Sequence, residues 1–466
     1  MQPSVRKKSW MNRFIDTIEY WGNKLPHPFI LFGMLVVITL IGSWILSQAG
    51  CSITYMAASR TPGEPEKEVT IAVTNLLSGE NLRYLITKYP DIFIGYPPMK
   101  LVLVMMAATA FIEKTGFFGT FMKKYLLRAP RGLVTFAVVF VGVNSNLMSD
   151  AGTLFALTMG GIIFAALGRN PLIGVILGWA SSSGGFTANL FLAGTDALLA
   201  GITEGVVKEM GVAVDINPAM NYFFMASATF FLSVTLTLFT EKVVCRMVGD
   251  GDGKVNMALL EEHKLTADQE KGLRWAFYGF LFFLAVMAAL TVPSWAILRN
   301  AKGGFLPKSP FFAGIITLIA FFFVSTGLPY GVATGEIKKW KDIPRLVSAG
   351  LREAIPLLTT TMMAAVFIDM MNKSNIFKMV AVAGAEALRG ANIGLLPLCL
   401  MIIVVTTIIN PFMTSGSSKW LIIAPMIVPM FTMLNVHPAY AQLAYRIGDS
   451  ATNICSPLQE LLPVII

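Results

Sequence analysis

Arg446 and Asp449 lie three residues apart in the polar stretch AYRIGDSATN near the end of an otherwise apolar chain, so they can share one helix face. An ionised side chain at membrane depth costs at least about 2.5 kcal/mol on insertion scales and therefore comes with a partner or a job. Either the two charges neutralise one another, or the planar guanidinium of Arg446 takes a ligand carboxylate while Asp449 orients it. Lys419, in NPFMTSGSSKW, adds positive charge nearby, and the three residues together carry one excess positive charge, which suits an acidic ligand. Asp150 and Asp196 are the opposite case, since each flanks a polar break with no cation near it in sequence. That suits a proton or Na⁺, with freed carbonyls and the hydroxyls of Ser145, Ser149 and Thr187 as oxygen ligands. Aspartates in such places also cap half-helix N-termini, and the two jobs are compatible. Asn144, Asn146, Asn189, Asn410 and Asn453 are the uncharged counterparts, amides that satisfy either freed backbone or a ligand.

These residues need elements that hold polar, helix-breaking sequence inside apolar sequence. From Asn410 to Asn453 the chain reads as a polar cluster, the apolar run LIIAPMIVPMFTML, a turn at His437 and Pro438, and a second break at Gly448 to Asn453. From Asn144 to Asn189 the plan is the same: NSNLMSDAG, an apolar arm, a turn at Arg169 to Pro171, and the break SSSGGFTAN. From opening asparagine to turn proline the copies differ by one residue, and to closing asparagine by two, although few residues are identical. Backbone leaves the helical form at membrane depth only where protein covers it or a wet cavity meets it. Matching interruptions in two halves point to a duplicated secondary-transporter fold with its site at the interruptions.

Composition supplies the surroundings. Hydrophobic residues make up 55% of the 466 and charged residues only 14%, against roughly 25% in soluble domains, and the mean hydropathy is +0.66. A polytopic membrane protein follows. The net charge of +9 sits mainly in short loops beside apolar segments, as orientation in a membrane requires, and does not argue for nucleic acid. Cys51, Cys245, Cys399 and Cys455 lack metal-type spacing and read as packing thiols.

Taken in order, residues 1–26 are basic and then amphipathic (Arg6, Lys7, Lys8, Trp10, Arg13, Trp21) and read as a cytoplasmic interfacial helix. A first span at 28–46 leads to an external segment at 51–89, and a second, 96–115, returns to Lys123, Lys124, Arg128 and Arg131. A re-entrant hairpin over 133–167, entered from the cytoplasm, a broken helix over 171–200 and span four at 220–239 complete a first repeat, 96–244. The loop 245–274 is expected to be cytoplasmic, and its DGDGK departs from a calcium loop at Lys254, which leaves a solvated turn. Spans five (275–298), six (310–326) and seven (351–371) follow, then an external amphipathic helix at 374–389. A hairpin over 393–434, entered from outside, and a broken helix over 438–466 close a second repeat, 350–466. The expected fold is a single all-α transmembrane domain, an inverted-repeat transporter with two oppositely inserted re-entrant hairpins and two broken helices. Span four has no counterpart after the second broken helix, so the chain is expected to be truncated before a last helix.

SSSGGFTANLFLAGTDALLAGIT, SNLMSDAG, SSKWLIIAPMIVPM and AYRIGDSATNICSPL resemble the motifs of the AbgT family, the p-aminobenzoyl-glutamate transporters. The resemblance covers essentially the whole chain in order. It implies a homodimer in the bacterial inner membrane, with nine spans and two hairpins per protomer and no cofactor beyond a coupling ion, Na⁺ or H⁺. Members import p-aminobenzoyl-glutamate or export sulfonamide antimetabolites. The motifs carry the resemblance to Asp196 of GTDAL, Ser417 and Trp420 of SSKW, Pro438, and Arg446 and Asp449 of RIGDS. The expected substrate contacts are then Ser417, Trp420, Pro438, Arg446, Asp449, Asn189, Asn410 and Asn453. Asp196 and Asp150, with Ser145, Asn146 and Thr187, form the expected ion-coupling group, and Na⁺, if it is the ion, sits at a hairpin tip beside Asn144 and Ser149. Trp420 either stacks on an aromatic ring or packs, and Pro438 sets its turn more readily than it touches a ligand, having no donor.

Other classes fit less well. A membrane-embedded hydrolase needs a nucleophile with a base or a metal cluster. The histidines are His27, His263 and His437, and neither HExxH nor GxSxG occurs, so no enzyme is expected. A channel is the alternative of a different class, because re-entrant hairpins also build pores. Saturable, gradient-coupled flux marks a carrier, and single-channel steps mark a pore.

Overall fold

The computed structural model describes residues 26–57, 67–210, 214–305, 309–390, 394–413 and 415–455, with Tyr20, Lys24 and Val212, and leaves out the side chains of Met56, Ala57, Lys67, Lys100, Ser149, Asp150, Glu209, Glu353 and Arg389. Nearly all of the expected N-terminal interfacial helix and the end of the last broken helix, 456–466, lie outside the described residues. The fold is mostly helical. Among the described residues, six helices are long and apolar enough to cross a membrane: Pro28–Gln48, Arg131–Met148, Tyr222–Val248, Ala267–Thr291, Ile315–Thr334 and Ile355–Lys373. On Pro28–Gln48 only Phe32, Thr39 and Ser43 are buried, and Ile38 is 62% exposed, the profile of a helix whose apolar surface meets lipid. The chain is a multi-pass membrane protein.

Local chemistry sets several boundaries. Ala267–Thr291 starts well before Trp275 because Thr266 and Gln269 form a capping box, each side chain accepting from the other's backbone N–H. Ile315–Thr334 runs through Pro329 and stops at Gly335, which takes the left-handed conformation at φ 79°. Amphipathic helices occupy Phe117–Arg128, of which only the basic residues drew notice in the sequence, and Asp342–Glu353, between the last two of these spans. Ser52–Ala57 and Lys67–Ala72 form an antiparallel ribbon, built on β-branched residues and closed by the Thr54 and Thr70 hydroxyls at 2.7 Å.

The chain divides into two compact units. One comprises Lys100–Gly201 and Asp215–Ile355. In it, Val134–Asn144 tightens into the 3₁₀ turn Ser145–Met148, and the chain returns through Ser149–Ala166 to the turn before Pro171–Gly184. With its 3₁₀ turn the first arm reaches the length of a span; the apolar part of the return arm, Ala151–Ala166, does not. That arm lies so close to Pro171–Gly184 that a β-carbon on Gly160 would stand 2.3 Å from the Gly174 carbonyl oxygen. Only small residues permit such an approach. Beneath these helices an aromatic core holds Phe117 edge-on to Tyr330 at 5.6 Å, and the Tyr330 hydroxyl donates to Thr120 Oγ1 at 2.6 Å.

Arg169, at the turn, ties the loop after Val248 to the hairpin base. It donates through Nη1 to Glu241 Oε1 at 2.8 Å, through Nε to Asp250 Oδ1 at 2.8 Å and through Nη2 to Cys245 Sγ at 3.2 Å. Glu241 reaches it from a π-helical turn, Thr240–Val244, that rotates the end of the long helix. The DGDGK segment is exposed, as a solvated turn should be, and is also pinned to the hairpin base: Gly253 N donates to Gly168 O at 2.9 Å and Asn170 N to Asp250 O at 3.0 Å. The guanidinium thus answers the charges of Glu241 and Asp250 and donates to the neutral thiol of Cys245, three groups that lie close enough together to hold a metal ion.

The other unit comprises Met1–Met99, Ile202–Val214 and Pro356–Ile466. Its core includes Leu76, Val366 and Met370, against which Val36, Leu40 and Tyr84 pack. The hairpin arms are Leu395–Ile409 and Gly416–Met433, and the last described helix is Pro438–Asn453. Gly448 is the contact between the first arm and that helix, since a β-carbon there would stand 2.6 Å from Ile403 O and 2.8 Å from Thr406 Cβ. The order span, amphipathic helix, hairpin, helix occurs twice along the chain, with Phe117–Arg128 and Ile376–Gly390 as the amphipathic members.

Candidate functional site

The last helix is polar where it is buried. It starts at Pro438, whose missing N–H costs nothing in a first turn, and His437 Nδ1 accepts from Ala439 N at 3.1 Å. Gln442, Arg446, Asp449 and Asn453 recur every three or four residues and are all buried, so they form one inward stripe. Buried polar and charged groups persist only with partners.

The second hairpin supplies them. Lys419, one turn into Gly416–Met433, is ion-paired with Asp449, and its Nζ also donates to Asn410 Oδ1. Asn410, where the first arm ends, turns its amide nitrogen to Asp449 O at 2.7 Å, Asn453 Oδ1 at 2.9 Å and Thr452 Oγ1 at 3.0 Å. One asparagine and one lysine therefore fasten the tip to the last helix. Asp449 is thus ion-paired with Lys419, a partner from the hairpin that helix spacing alone did not give. Arg446 lies one turn before Asp449 on the same buried face, 1% exposed.

Trp420 is wholly buried and fixed at both edges. Its ring packs on Tyr445 at 4.6 Å, tilted by 34°, and its Nε1 donates to Thr203 Oγ1 at 3.1 Å. Thr203 in turn donates to Gln442 Oε1 at 3.2 Å, and the Tyr445 hydroxyl donates to the Gly416 carbonyl oxygen. A flat aromatic wall thus adjoins a buried cluster of Lys419, Asp449 and Arg446. Such an arrangement can bind an anion that carries a ring.

The remaining expected contacts divide. Asn410 and Asn453 join the cluster, and Ser417 sits half-buried at the start of the second arm, its hydroxyl 3.4 Å from Ser415 Oγ. Pro438 does not join it, lying eleven residues before Asp449, about 16 Å along a helix at 1.5 Å per residue. Asn189 belongs to the other unit.

In that other unit the first hairpin tip is held together by its own amides and hydroxyls. Asn144 Nδ2 donates to Phe140 O at 2.8 Å while its Oδ1 accepts from Leu190 N at 3.1 Å. Asn146 donates to Val143 O at 3.0 Å and Ser182 O at 3.1 Å, and Ser145 donates to Gly142 O at 2.7 Å. Asn189, with its amide nitrogen turned to them, donates to Ala188 O at 2.8 Å and Val143 O at 3.2 Å. Thr187 is buried beside them. Asp196, 1% exposed, is the third residue of Gly194–Glu209 and accepts from Ala193 N just before the helix at 2.7 Å, the back-bond of a capping box. The side chains of Asp150 and Ser149 are outside the described residues.

Three participants escaped the sequence: Thr203, Gln442 and Tyr445. Gln442 is four residues before Arg446, so the stripe could have been extended backwards by periodicity. Thr203 lies 217 residues from Trp420, and no local signal joins them.

Residues 13–466 match the family model described as AbgT putative transporter family. A curated relative, the p-aminobenzoyl-glutamate transport protein of Escherichia coli K12, is 32% identical over 463 residues, covering 99% of this chain and 89% of its own. Among solved structures, the Neisseria gonorrhoeae MtrF, described within a class of antimetabolite efflux pumps, superposes with a TM-score of 0.90 at 32% identity, over 97% of this chain and 90% of its own. The Alcanivorax borkumensis YdaH transporter, described as having an unusual topology, gives 0.85 at 29% identity, over 94% and 90%.

Proposed function

The chain belongs to the AbgT transporter family, and from that premise we propose that it is a secondary transporter of p-aminobenzoyl-glutamate or a related acidic aromatic amide, driven by a Na⁺ or H⁺ gradient. The observation that carries the reading is the buried juxtaposition of Lys419, Asp449 and Arg446 with the Trp420–Tyr445 wall. The three charged residues carry one excess positive charge, and a carboxylate offsets it. Arg446 suits that role because its fork matches a carboxylate in two parallel hydrogen bonds. Trp420 and Tyr445 offer an aminobenzoyl ring a flat face, with Ser417, Asn410 and Asn453 as neutral contacts. Asp196, with Asp150, Ser145, Asn146, Thr187 and Asn189 around the first hairpin tip, serves the coupling ion. The two hairpins enter from opposite faces of the bacterial inner membrane, the N-terminus is cytoplasmic, two copies associate, and no covalent chemistry is done on the substrate.

A second reading, export of sulfonamide antimetabolites, is favoured by the likeness to MtrF. Flux of radiolabelled p-aminobenzoyl-glutamate in proteoliposomes, under Na⁺ and H⁺ gradients imposed in each direction, tests the first reading. Saturable uptake that follows one gradient supports it and identifies the ion. Sulfonamide flux without p-aminobenzoyl-glutamate flux replaces it with the second.

A further inference from the structure

A cavity of about 290 Å³ lies in the unit that carries the last helix, lined by residues of Gly79–Gly95 and Ile355–Lys373. Asp369 forms part of its wall. One carboxylate oxygen, Oδ1, accepts from the Tyr84 hydroxyl at 3.3 Å; the other, Oδ2, is buried and meets no hydrogen-bond donor among the described residues. Lys373 Nζ stands 3.9 Å from the centre of the Tyr84 ring, so a cation sits on the ring whose hydroxyl serves Asp369. Lys88 and Asp91, also on the lining, form an ion pair at 3.1 Å with side chains 54% and 71% exposed, which brings the cavity to the aqueous phase. Tyr96, Pro97 and Gly205 complete the wall.

An ionised carboxylate accepts at both oxygens, whereas a protonated one carries a hydroxyl of its own that water can serve. The cavity is many times the volume of one water molecule, about 30 Å³, and has polar walls, so water can reach the carboxyl. We propose that Asp369 is a proton-binding site that exchanges with the aqueous phase through this cavity, separate from the Lys419–Asp449 pair and from Asp196. The proton passes between water and Oδ2, and no other bond changes. The titratable and charged groups that line the cavity beside Asp369 are Tyr84, Lys88 and Asp91 from Gly79–Gly95 and Tyr96 after it; Lys373, from the helix of Asp369 itself, stands over the Tyr84 ring. Gly205 brings no charge, and Pro28–Gln48 meets the neighbouring core with Val36, Leu40 and Ser43, none of them charged. Among the described residues, neither lysine is ion-paired with Asp369.

pH-difference infrared spectroscopy of the full-length protein in lipid bilayers tests the site. The wild type is expected to show a protonated-carboxyl band that titrates, that is lost in Asp369→Asn, shifts in Asp369→Glu, changes its midpoint in Tyr84→Phe, and survives Asp196→Asn. A spectrum unchanged by Asp369→Asn overturns the proposal. So does a band at Asp369 that responds to Na⁺ at fixed pH and not to pH. The readout uses no substrate, so its failure leaves the transport reading intact, and absent p-aminobenzoyl-glutamate flux leaves the proton site intact.

Discussion

Lys419 of the second hairpin is ion-paired with Asp449 of the last helix, and the two side chains are 0% and 1% exposed. A pair so enclosed holds the hairpin tip to the helix, and Arg446, one turn before Asp449 on the same buried face, is the basic group of that helix's stripe. Removing one member strands a buried charge, so Lys419→Ala should cost about 3–5 kcal/mol, and adding Asp449→Asn should restore part of it. A double-mutant cycle on thermal melting in detergent measures the coupling. Strictly additive losses would contradict the pair.

Thr203→Val should loosen Trp420. The substitution keeps the shape of the side chain but removes both the acceptor for the indole N–H and the donor to Gln442 Oε1. Leaving these groups buried and unsatisfied costs about 1–3 kcal/mol. Thr203→Ser, which retains the hydroxyl, should recover the melting temperature and the apparent KM for transport together, and equal defects in Val and Ser would mean that the methyl group matters and not the hydrogen bonds.

Gly448→Ala should separate the first hairpin arm from the last helix, because the new methyl group falls 2.6 Å from Ile403 O. Overpacking of this kind costs about 1–3 kcal/mol. Cysteine cross-linking between the arm and the helix would be weakened; undiminished cross-linking with normal stability would show that the contact yields.

Much of this was legible in the sequence. The paired interruptions announced themselves because Asn, Ser and Gly clusters contrast sharply with apolar arms, and the helices do break at Ser145–Met148, after Gly184 and between Ile409 and Gly416. Lys419, Arg446 and Asp449 stood out as charges in apolar sequence, but which carboxylate met which cation did not, since helix periodicity favours Arg446 with Asp449 while the hairpin delivers Lys419. The asparagines were ambiguous between backbone and ligand; in the structure Asn144, Asn146, Asn189 and Asn410 all donate to backbone carbonyls. Docking of the DGDGK loop was hidden because Arg169 and Asp250 are 81 residues apart.

Asp342 gives a pH-dependent prediction away from the membrane. The backbone N–H groups of Lys339 and Lys338 donate to its Oδ2 at 2.8 and 3.0 Å and hold its pKa below the ordinary 3.8, with Arg345 and Lys341 adding to the effect. A depressed folded-state pKa means that the stabilisation is complete above the ordinary value and is lost as pH falls through the lower folded one. Hydrogen exchange at the Lys338 and Lys339 amides, corrected for intrinsic rates, should show constant protection from about pH 7 down to about pH 5 and declining protection below about pH 4. In Asp342→Ala protection should be low throughout; wild-type protection in that variant would remove the carboxylate from the turn.

The central claim is that Arg446 reads a substrate carboxylate. The direct measurement compares gradient-driven uptake of p-aminobenzoyl-glutamate with that of its uncharged diamide, in proteoliposomes holding wild type or Arg446→Ala. The wild type should strongly prefer the dianion, and Arg446→Ala should lose most of that preference, by about tenfold or more, as expected for a charge-assisted hydrogen bond worth about 1.5–3 kcal/mol. An unchanged preference in Arg446→Ala, with the protein folded and transporting, would contradict the account.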